Sequence, residues 1–255
     1  MKKILRRTSD ILGRKGKKKK NLAVILLNSK FSNISNNEWF GMLWNRAGLR
    51  ICADGGANAL FDEDEKRIVP DVIKGDMDSA REDVLEYFES QGTKVIRDPN
   101  QDTNDFGKCL EELKERFDEK TLLWDVVVWG ALGGRIDHEM CNLSYLYEWT
   151  SSFRSLTLLS DQNLVCLLNG PGRFAIEPDL SAEGPICGVL PVGFPCEGVT
   201  TKGLKWNMHN QRLAFGEMVS SSNEIVDSTV EIECSSPVLW MTELHHPRQH
   251  RHSRI

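Results

Sequence analysis

Four short segments combine carboxylates with glycine or other tight-turn residues: Asp54-Gly55-Gly56-Ala57-Asn58, Gly75-Asp76-Met77-Asp78-Ser79, Gln101-Asp102-Thr103-Asn104-Asp105 and Gly133-Gly134-Arg135-Ile136-Asp137. Asp76 and Asp78 stand two apart, so in a loop both carboxylates can face one cation. Asp102 and Asp105 stand three apart, where each can cap a helix and still project from its start. Converging carboxylates repel one another and raise each other's pKa unless a cation lies between them. Magnesium carrying a polyphosphate suits such a site, because it takes one or two carboxylates and completes its shell with water and phosphate oxygens. Glycines at Gly55, Gly56, Gly133 and Gly134 let backbone amides approach phosphate, and Arg135 can clamp phosphate oxygens. Together these residues point to a nucleotide-using enzyme.

The elements around the segments place them on one edge. Apolar runs at Leu22–Leu27, Leu49–Ala53, Val72–Ile73, Lys94–Ile96 and Val126–Trp129 read as strands. Between them, 38–46, a segment beginning near Asp78 or Ser79, 106–117 and 136–149 read as helices. In the third of these, Phe106, Cys109, Leu110, Leu113 and Phe117 recur at helical spacing, with Lys and Glu on the opposite face. Strands alternating with helices predict an open, mainly parallel α/β sheet, in which ligands bind at the carboxyl ends of the strands.

Past residue 155 the helical pattern stops. Short apolar runs at 156–159, 164–168, 174–176, 189–192, 199–201, 213–215, 229–232 and 238–241 are separated by Gly, Pro, Asn and Ser, which predicts an antiparallel β-sandwich. The expected organisation is a basic leader without structure over 1–20, an α/β catalytic domain over 21–165, a β-sandwich over 166–244 and an unstructured His/Arg-rich tail over 245–255.

Composition narrows the class. With 40% hydrophobic and 27% charged residues the 255-residue chain is ordinary for a globular protein. The formal charge is −5 overall, +9 over the first 20 residues and therefore −14 over the rest. An acidic body argues against nucleic acid as a partner and suits capture of cation-bound phosphate. No apolar stretch approaches the roughly eighteen residues that span a bilayer, so no membrane partner and a cytoplasmic location are expected. The basic leader leaves a nuclear or organelle address open. Seven cysteines without a C-x-x-C pair read as buried thiols. The absence of G-x-x-x-x-G-K-S/T and of G-x-G-x-x-G disfavours a P-loop enzyme and a dinucleotide dehydrogenase.

Taken with Gly203-Leu204-Lys205-Trp206-Asn207 and Val219-Ser220-Ser221-Ser222-Asn223, the four segments closely resemble thiamin pyrophosphokinases, in order and spacing, over about residues 21–244. The resemblance implies an α/β domain joined to a β-sandwich, a homodimer with a shared active site, and transfer of the pyrophosphoryl group of ATP to thiamin, with Mg2+ as cofactor and AMP released. It assigns Asp76, Asp78 and Asp105 to the metal, with Asp102 and Asp137 in support. Asp54, Gly55, Gly56, Asn58, Gly134 and Arg135 fall to the nucleotide phosphates, and Gln101, Trp206, Ser220, Ser222 and Asn223 to thiamin. Asp102 or Asp105 is the candidate proton acceptor. Asn104 departs from the family's usual threonine. A non-catalytic nucleotide or thiamin diphosphate sensor and a magnesium-dependent phosphohydrolase are the competing readings.

Overall fold

The computed structural model describes residues 4–13, 18–28, 34, 37–63 and 68–245. In chain order the elements are β1 (Ile4–Arg7), α1 (Ser9–Leu12), β2 (Lys19–Leu26), α2 (Glu38–Arg46), β3 (Ala47–Ala53), α3 (Gly56–Glu63), β4 (Val72–Gly75), α4 (Glu82–Ser90), β5 (Lys94–Arg97), α5 (Asp105–Phe117), β6 (Asp125–Trp129), α6 (Ile136–Trp149), β7 (Ser155–Leu159), β8 (Asn163–Leu168), β9 (Gly172–Glu177), β10 (Glu183–Leu190), β11 (Cys196–Lys202), β12 (Gln211–Leu213), β13 (Ser220–Glu224), β14 (Val230–Cys234) and β15 (Val238–Leu244). They fall into two units, Lys15–Asp161 and Met1–Arg14 with Gln162–Ile255.

In the first unit the strands run in the order β7-β6-β2-β3-β4-β5, every pair parallel. The central strands are apolar throughout because both faces are covered, as Val126, Val127, Val128 and Trp129 of β6 show by being fully buried. The chain winds outward from β2 through β3, β4 and β5, then crosses to β6 on the other side of β2. That reversal opens a crevice at the carboxyl ends of β2 and β6.

The helices follow the expected apolar faces, with corrections at their ends. Helix α4 is entered at Arg81 without a side-chain cap, not at Asp78 or Ser79. Helix α5 is capped by Asn104, whose Oδ1 accepts from the Gly107 N–H at 3.0 Å, rather than by Asp102 or Asp105. Asparagine is among the best N-cap residues, so the departure from threonine at position 104 preserves the helix start. On the same helix Lys108 and Glu112 are buried, contrary to a uniformly polar outer face.

The second unit holds two sheets, β1-β9-β14-β11-β12 and β13-β10-β15-β8. Apart from the parallel β1–β9 pair, the pairings are antiparallel. On β14, Val230, Ile232 and Cys234 face a core that also takes Phe174, Val189, Val199 and Trp240, while Glu231 and Glu233 alternate outward. That period-two burial makes this unit the expected β-sandwich.

The bounds differ from expectation at the leader and between the units, where the division falls after Asp161 rather than 165. Residues 4–13 and 19–20 are structured: β1 pairs with the open edge of β9, Thr8 Oγ1 donates to the Glu177 carbonyl at 3.1 Å, and Ile11 and Leu12 are buried. Lys19 begins β2 and pairs with the buried Asp125 at 2.7 Å. The free backbone edge of β9 and the charge of Asp125 thus recruit parts of the leader. Of the expected tail, residues 246–255 lie outside the described residues, as do Arg14, Lys15 and Lys17 of the leader. Six cysteines are buried and free, whereas Cys141 is exposed. Among the described residues no helix is long and apolar enough to cross a membrane.

Candidate functional site

The loops after β3 and β4 form one assembly. Asp54 has φ +40°, is fully buried, and turns its carboxylate toward the loop that follows β4. Its two oxygens accept backbone N–H bonds from Ser79 at 3.2 Å and Ala80 at 2.8 Å. Asn58 adds a second tether, donating to the Ser79 carbonyl at 2.8 Å and accepting from the Arg81 N–H at 3.0 Å. Burial pushes the Asp54 carboxyl up to about 6, against the partial relief given by the two N–H donors.

These tethers gather the acids. Single carboxylate oxygens of Asp54, Asp76 and Asp78 lie within 4.8 Å of one another. Gly75 allows the approach, because a Cβ there would stand 2.6 Å from Asp54 Cβ and 3.0 Å from Asp105 Oδ1. Asp105 opens α5 beside them, and burial raises its carboxyl above the ordinary range. Asp76 is held below that range, first by Gln101 Nε2, which donates to Oδ2 at 2.9 Å. The Asp78 N–H donates to Asp76 Oδ1 at 3.2 Å, and Ser79 Oγ to Asp78 Oδ1 at 2.8 Å.

A cleft of about 720 Å³ sits at the carboxyl ends of the parallel strands. Its walls include Asn28 after β2, Ser79 after β4, Asp105 after β5, and Gly133, Gly134, Arg135 and Asp137 after β6. Gly133 and Gly134 have φ near +90°, a backbone that glycine adopts freely. Arg135 makes a forked ion pair with Asp137 (Nε to Oδ1 3.1 Å, Nη2 to Oδ2 2.5 Å) and both remain exposed. The cleft can receive an anion from the amides of the 133–134 turn and the Arg135 guanidinium; its own carboxylates are Asp105 and Asp137, whereas Asp54, Asp76 and Asp78 do not line it, and Asp54 and Asp78 are joined to it through bonds to Ser79.

The structure places the remaining assigned residues as follows. Gly55 and Gly56 are packed under the loops, where a Cβ would meet Asn28 Nδ2 at 2.3 Å or the Leu26 carbonyl at 2.7 Å. Neither lines the cleft, and Asn58 spends both ends of its amide on the 79–81 loop. Gln101 contacts Asp76. Asp102 is exposed, with its N–H on Asn100 Oδ1, and is not in the carboxylate group.

In the β-sandwich unit, Trp206 is 54% exposed, while its backbone is held from both sides by the buried Asn223. Asn223 Oδ1 accepts from the Trp206 N–H at 3.2 Å and Nδ2 donates to its carbonyl at 2.9 Å. Ser220 is buried at the start of β13, and Ser222 has φ +56° on the same strand.

Sequence reasoning missed two buried lysines. Lys108 Nζ lies 3.6 Å from both Asp76 Oδ2 and Asp105 Oδ1, and Lys74 Nζ lies 3.2 Å from Asp98 Oδ2 and 3.9 Å from Glu112 Oε2. The i,i+3 spacing of Asp105 and Lys108 was the available signal.

Comparison with known proteins agrees with this anatomy. Residues 40–158 match the family model for the thiamin pyrophosphokinase catalytic domain, and residues 173–239 that for the thiamin pyrophosphokinase vitamin B1 binding domain. Thiamine pyrophosphokinase 1 of Oryza sativa is 40% identical over 237 residues, 87% of each chain. Thiamine pyrophosphokinase 1 of Arabidopsis thaliana is 41% identical over 213 residues, 78% of this chain and 79% of its own. Among solved structures, yeast thiamin pyrophosphokinase superposes with a TM-score of 0.84 at 22% identity, covering 96% of this chain and 92% of its own, a likeness of fold. Thiamin pyrophosphokinase from Candida albicans gives 0.80 at 25% identity, over 95% and 93%. With both domain models matched in order and such identity to relatives over most of its length, the chain belongs to the thiamin pyrophosphokinase family of enzymes.

Proposed function

We propose that the protein transfers the pyrophosphoryl group of ATP to the hydroxyl of thiamin, giving thiamin diphosphate and AMP. The observation that carries this reading is the convergence of Asp54, Asp76 and Asp78 within 4.8 Å beside a cleft walled by amides and Arg135. The donors are all carboxylate oxygens, which fits a hard divalent cation such as Mg2+. Asp76 and Asp78 would hold it, with Asp54 and Asp105 beside them. Bound there, the ion supplies charge neutralisation and orientation for the polyphosphate.

The thiamin hydroxyl oxygen attacks the β-phosphorus in line, forming a new P–O bond as the bond between that phosphorus and the oxygen leaving with AMP breaks. Arg135, released from Asp137, and the amides of the 133–134 turn stabilise charge on the phosphate oxygens. Asp105 takes the hydroxyl proton. Its raised pKa and its place in the cleft wall favour it over the exposed Asp102. Asp137 keeps Arg135 oriented before the nucleotide arrives.

For thiamin, the Trp206 indole offers the face opposite Lys205, whose Nζ stands 4.6 Å from the ring centroid, to the cationic thiazolium and the flat pyrimidine, a contact worth about 0.5–2 kcal/mol. Asn223 fixes that platform, and Ser220 and Ser222 supply hydroxyls on the neighbouring strand. Gln101 reaches thiamin only by loosening from Asp76. The family resemblance adds a homodimer that completes the site between a catalytic domain and the partner's sandwich.

The test is incubation of purified protein with Mg2+, ATP and thiamin, followed by chromatography. Equal, thiamin-dependent yields of AMP and thiamin diphosphate are expected. ADP with thiamin monophosphate would mean a different bond is broken. Phosphate release without thiamin would mark a phosphohydrolase, and thiamin binding without turnover a sensor.

A further inference from the structure

Lys108 is 1% exposed and lies beneath the acidic loops. A lysine is rarely withdrawn from water to this extent unless its charge is paired. Its partners are Asp76 Oδ2 and Asp105 Oδ1, each 3.6 Å from Nζ, beyond ordinary hydrogen-bond length and within range of charge attraction between a buried ammonium and two partly exposed carboxylates. Asp76 also belongs to the group of three carboxylates that can share an ion. One carboxylate therefore serves an internal ammonium on one oxygen while standing within reach of a divalent cation.

We propose that Lys108 is a positioning residue and internal counter-ion: it orients Asp76 and Asp105 and weakens binding of a free divalent cation, so that metal is acquired together with the nucleotide. This rests on the magnesium-site reading above. Two opposed effects follow from its position. The ammonium relieves repulsion among Asp54, Asp76, Asp78 and Asp105 when no metal is bound, which keeps the loops assembled. It also repels any second cation drawn to Asp76. A polyphosphate brings negative charge and oxygen ligands of its own, which offset that repulsion in a way that water cannot.

A tie that is only structural predicts the opposite sign. Removing it would disorder the carboxylates and weaken metal binding along with turnover. A counter-ion predicts that its removal leaves the acidic group one positive charge poorer and therefore a tighter trap for free cation, while the misplaced Asp76 and Asp105 turn over more slowly.

The experiment measures Mn2+ binding to the full chain by the electron paramagnetic resonance of the free ion at about pH 8, above the ordinary carboxylate range. Wild type, Lys108→Met, Lys108→Gln and Lys108→Arg are compared with and without ATP, and circular dichroism checks folding. Without ATP, the neutral variants should bind Mn2+ roughly tenfold more tightly than wild type, and Lys108→Arg should stay within about threefold. Measured against a protein-free Mn2+–ATP control, since ATP chelates the ion by itself, ATP should increase Mn2+ retention by wild type more than by the neutral variants, and kcat should fall in the latter. Should Lys108→Met not fold, Lys108→Gln carries the comparison, since its amide can still bond a carboxylate. Folded neutral variants that bind Mn2+ equally or less tightly overturn the counter-ion role while leaving the metal site intact. Failure of wild type and every variant to bind Mn2+ even with ATP overturns the metal-site reading, and this inference with it.

Discussion

Asp54 Oδ1 accepts a hydrogen bond from the Ala80 N–H at 2.8 Å, tying the turn after one parallel strand to the loop after the next. The acid that begins the first glycine turn thus shapes the loop that carries Asp76 and Asp78. Its own charge is buried in the process, and the site's response to pH and metal follows from that.

Asp54 has a folded-state pKa of about 6 against an ordinary 3.8. A raised carboxyl pKa means that the folded state prefers the proton. Its stabilising contribution is present below about pH 4 and is lost as pH rises through about 6. In EDTA, the difference in Tm between wild type and Asp54→Asn should therefore shrink from pH 4 to 7, read by differential scanning fluorimetry. Added Mg2+ should recover Tm above pH 6 in wild type and much less in the variant. A difference that is flat with pH would show that Asp54 is not the buried acid.

Asp78 is exposed, and its carboxylate accepts a bond from Ser79 Oγ. Asp78→Asn should leave stability within about 0.5 kcal/mol, as expected of a surface change. On the proposed assignment of Asp78 to the metal, turnover should nevertheless fall by about a hundredfold or more. AMP formation and thermal melting of the same preparation decide it. An active, stable variant would remove Asp78 from the metal site.

Gly75→Ala would place a Cβ 2.6 Å from Asp54 Cβ and 3.0 Å from Asp105 Oδ1. Overpacking of this kind costs about 1–3 kcal/mol and pushes the two acids apart. Urea denaturation should show the loss, and Mn2+ binding should weaken with it. Gly41→Ala is the control, since nothing lies within 4 Å of the added Cβ on α2. It should stabilise by about 0.5–1 kcal/mol. Equal behaviour of the two variants would mean that the close approach at Gly75 is unimportant.

Trp206→Ala should raise KM for thiamin by about 2- to 30-fold, the equivalent of about 0.5–2 kcal/mol of lost stacking. KM for ATP should not move. The indole is largely exposed, so Tm should change little. Steady-state kinetics with each substrate varied in turn separates the two effects. A change confined to ATP would relocate Trp206 to the nucleotide side.

Some elements were legible because local pattern and tertiary role agree. Helix α6 runs from Ile136 to Trp149 as its glycine turn and periodicity predict, and β6 is apolar because it is covered on both faces. Strand β13 was not legible: Ser220-Ser221-Ser222-Asn223-Glu224 contains no apolar residue, and it is a strand because β10 offers it a partner. Strand β1 is similar, paired by the free edge of β9. Such pairing depends on backbone groups contributed from far along the chain, which a local pattern does not carry.

The sequence by itself determined which chemistry is present and the order in which it arrives: aspartates and glycines placed after apolar runs come to the carboxyl edge of any parallel sheet those runs build. Tertiary structure decided which of them meet. It brought Asp54 in through bonds to Ser79 and Ala80, left Asp102 exposed, and turned Gln101 onto Asp76. It also buried Lys108 beneath the acids, because charge pairing with Asp76 and Asp105 offsets the preference of a lysine for water, and that balance exists only once the loops have converged.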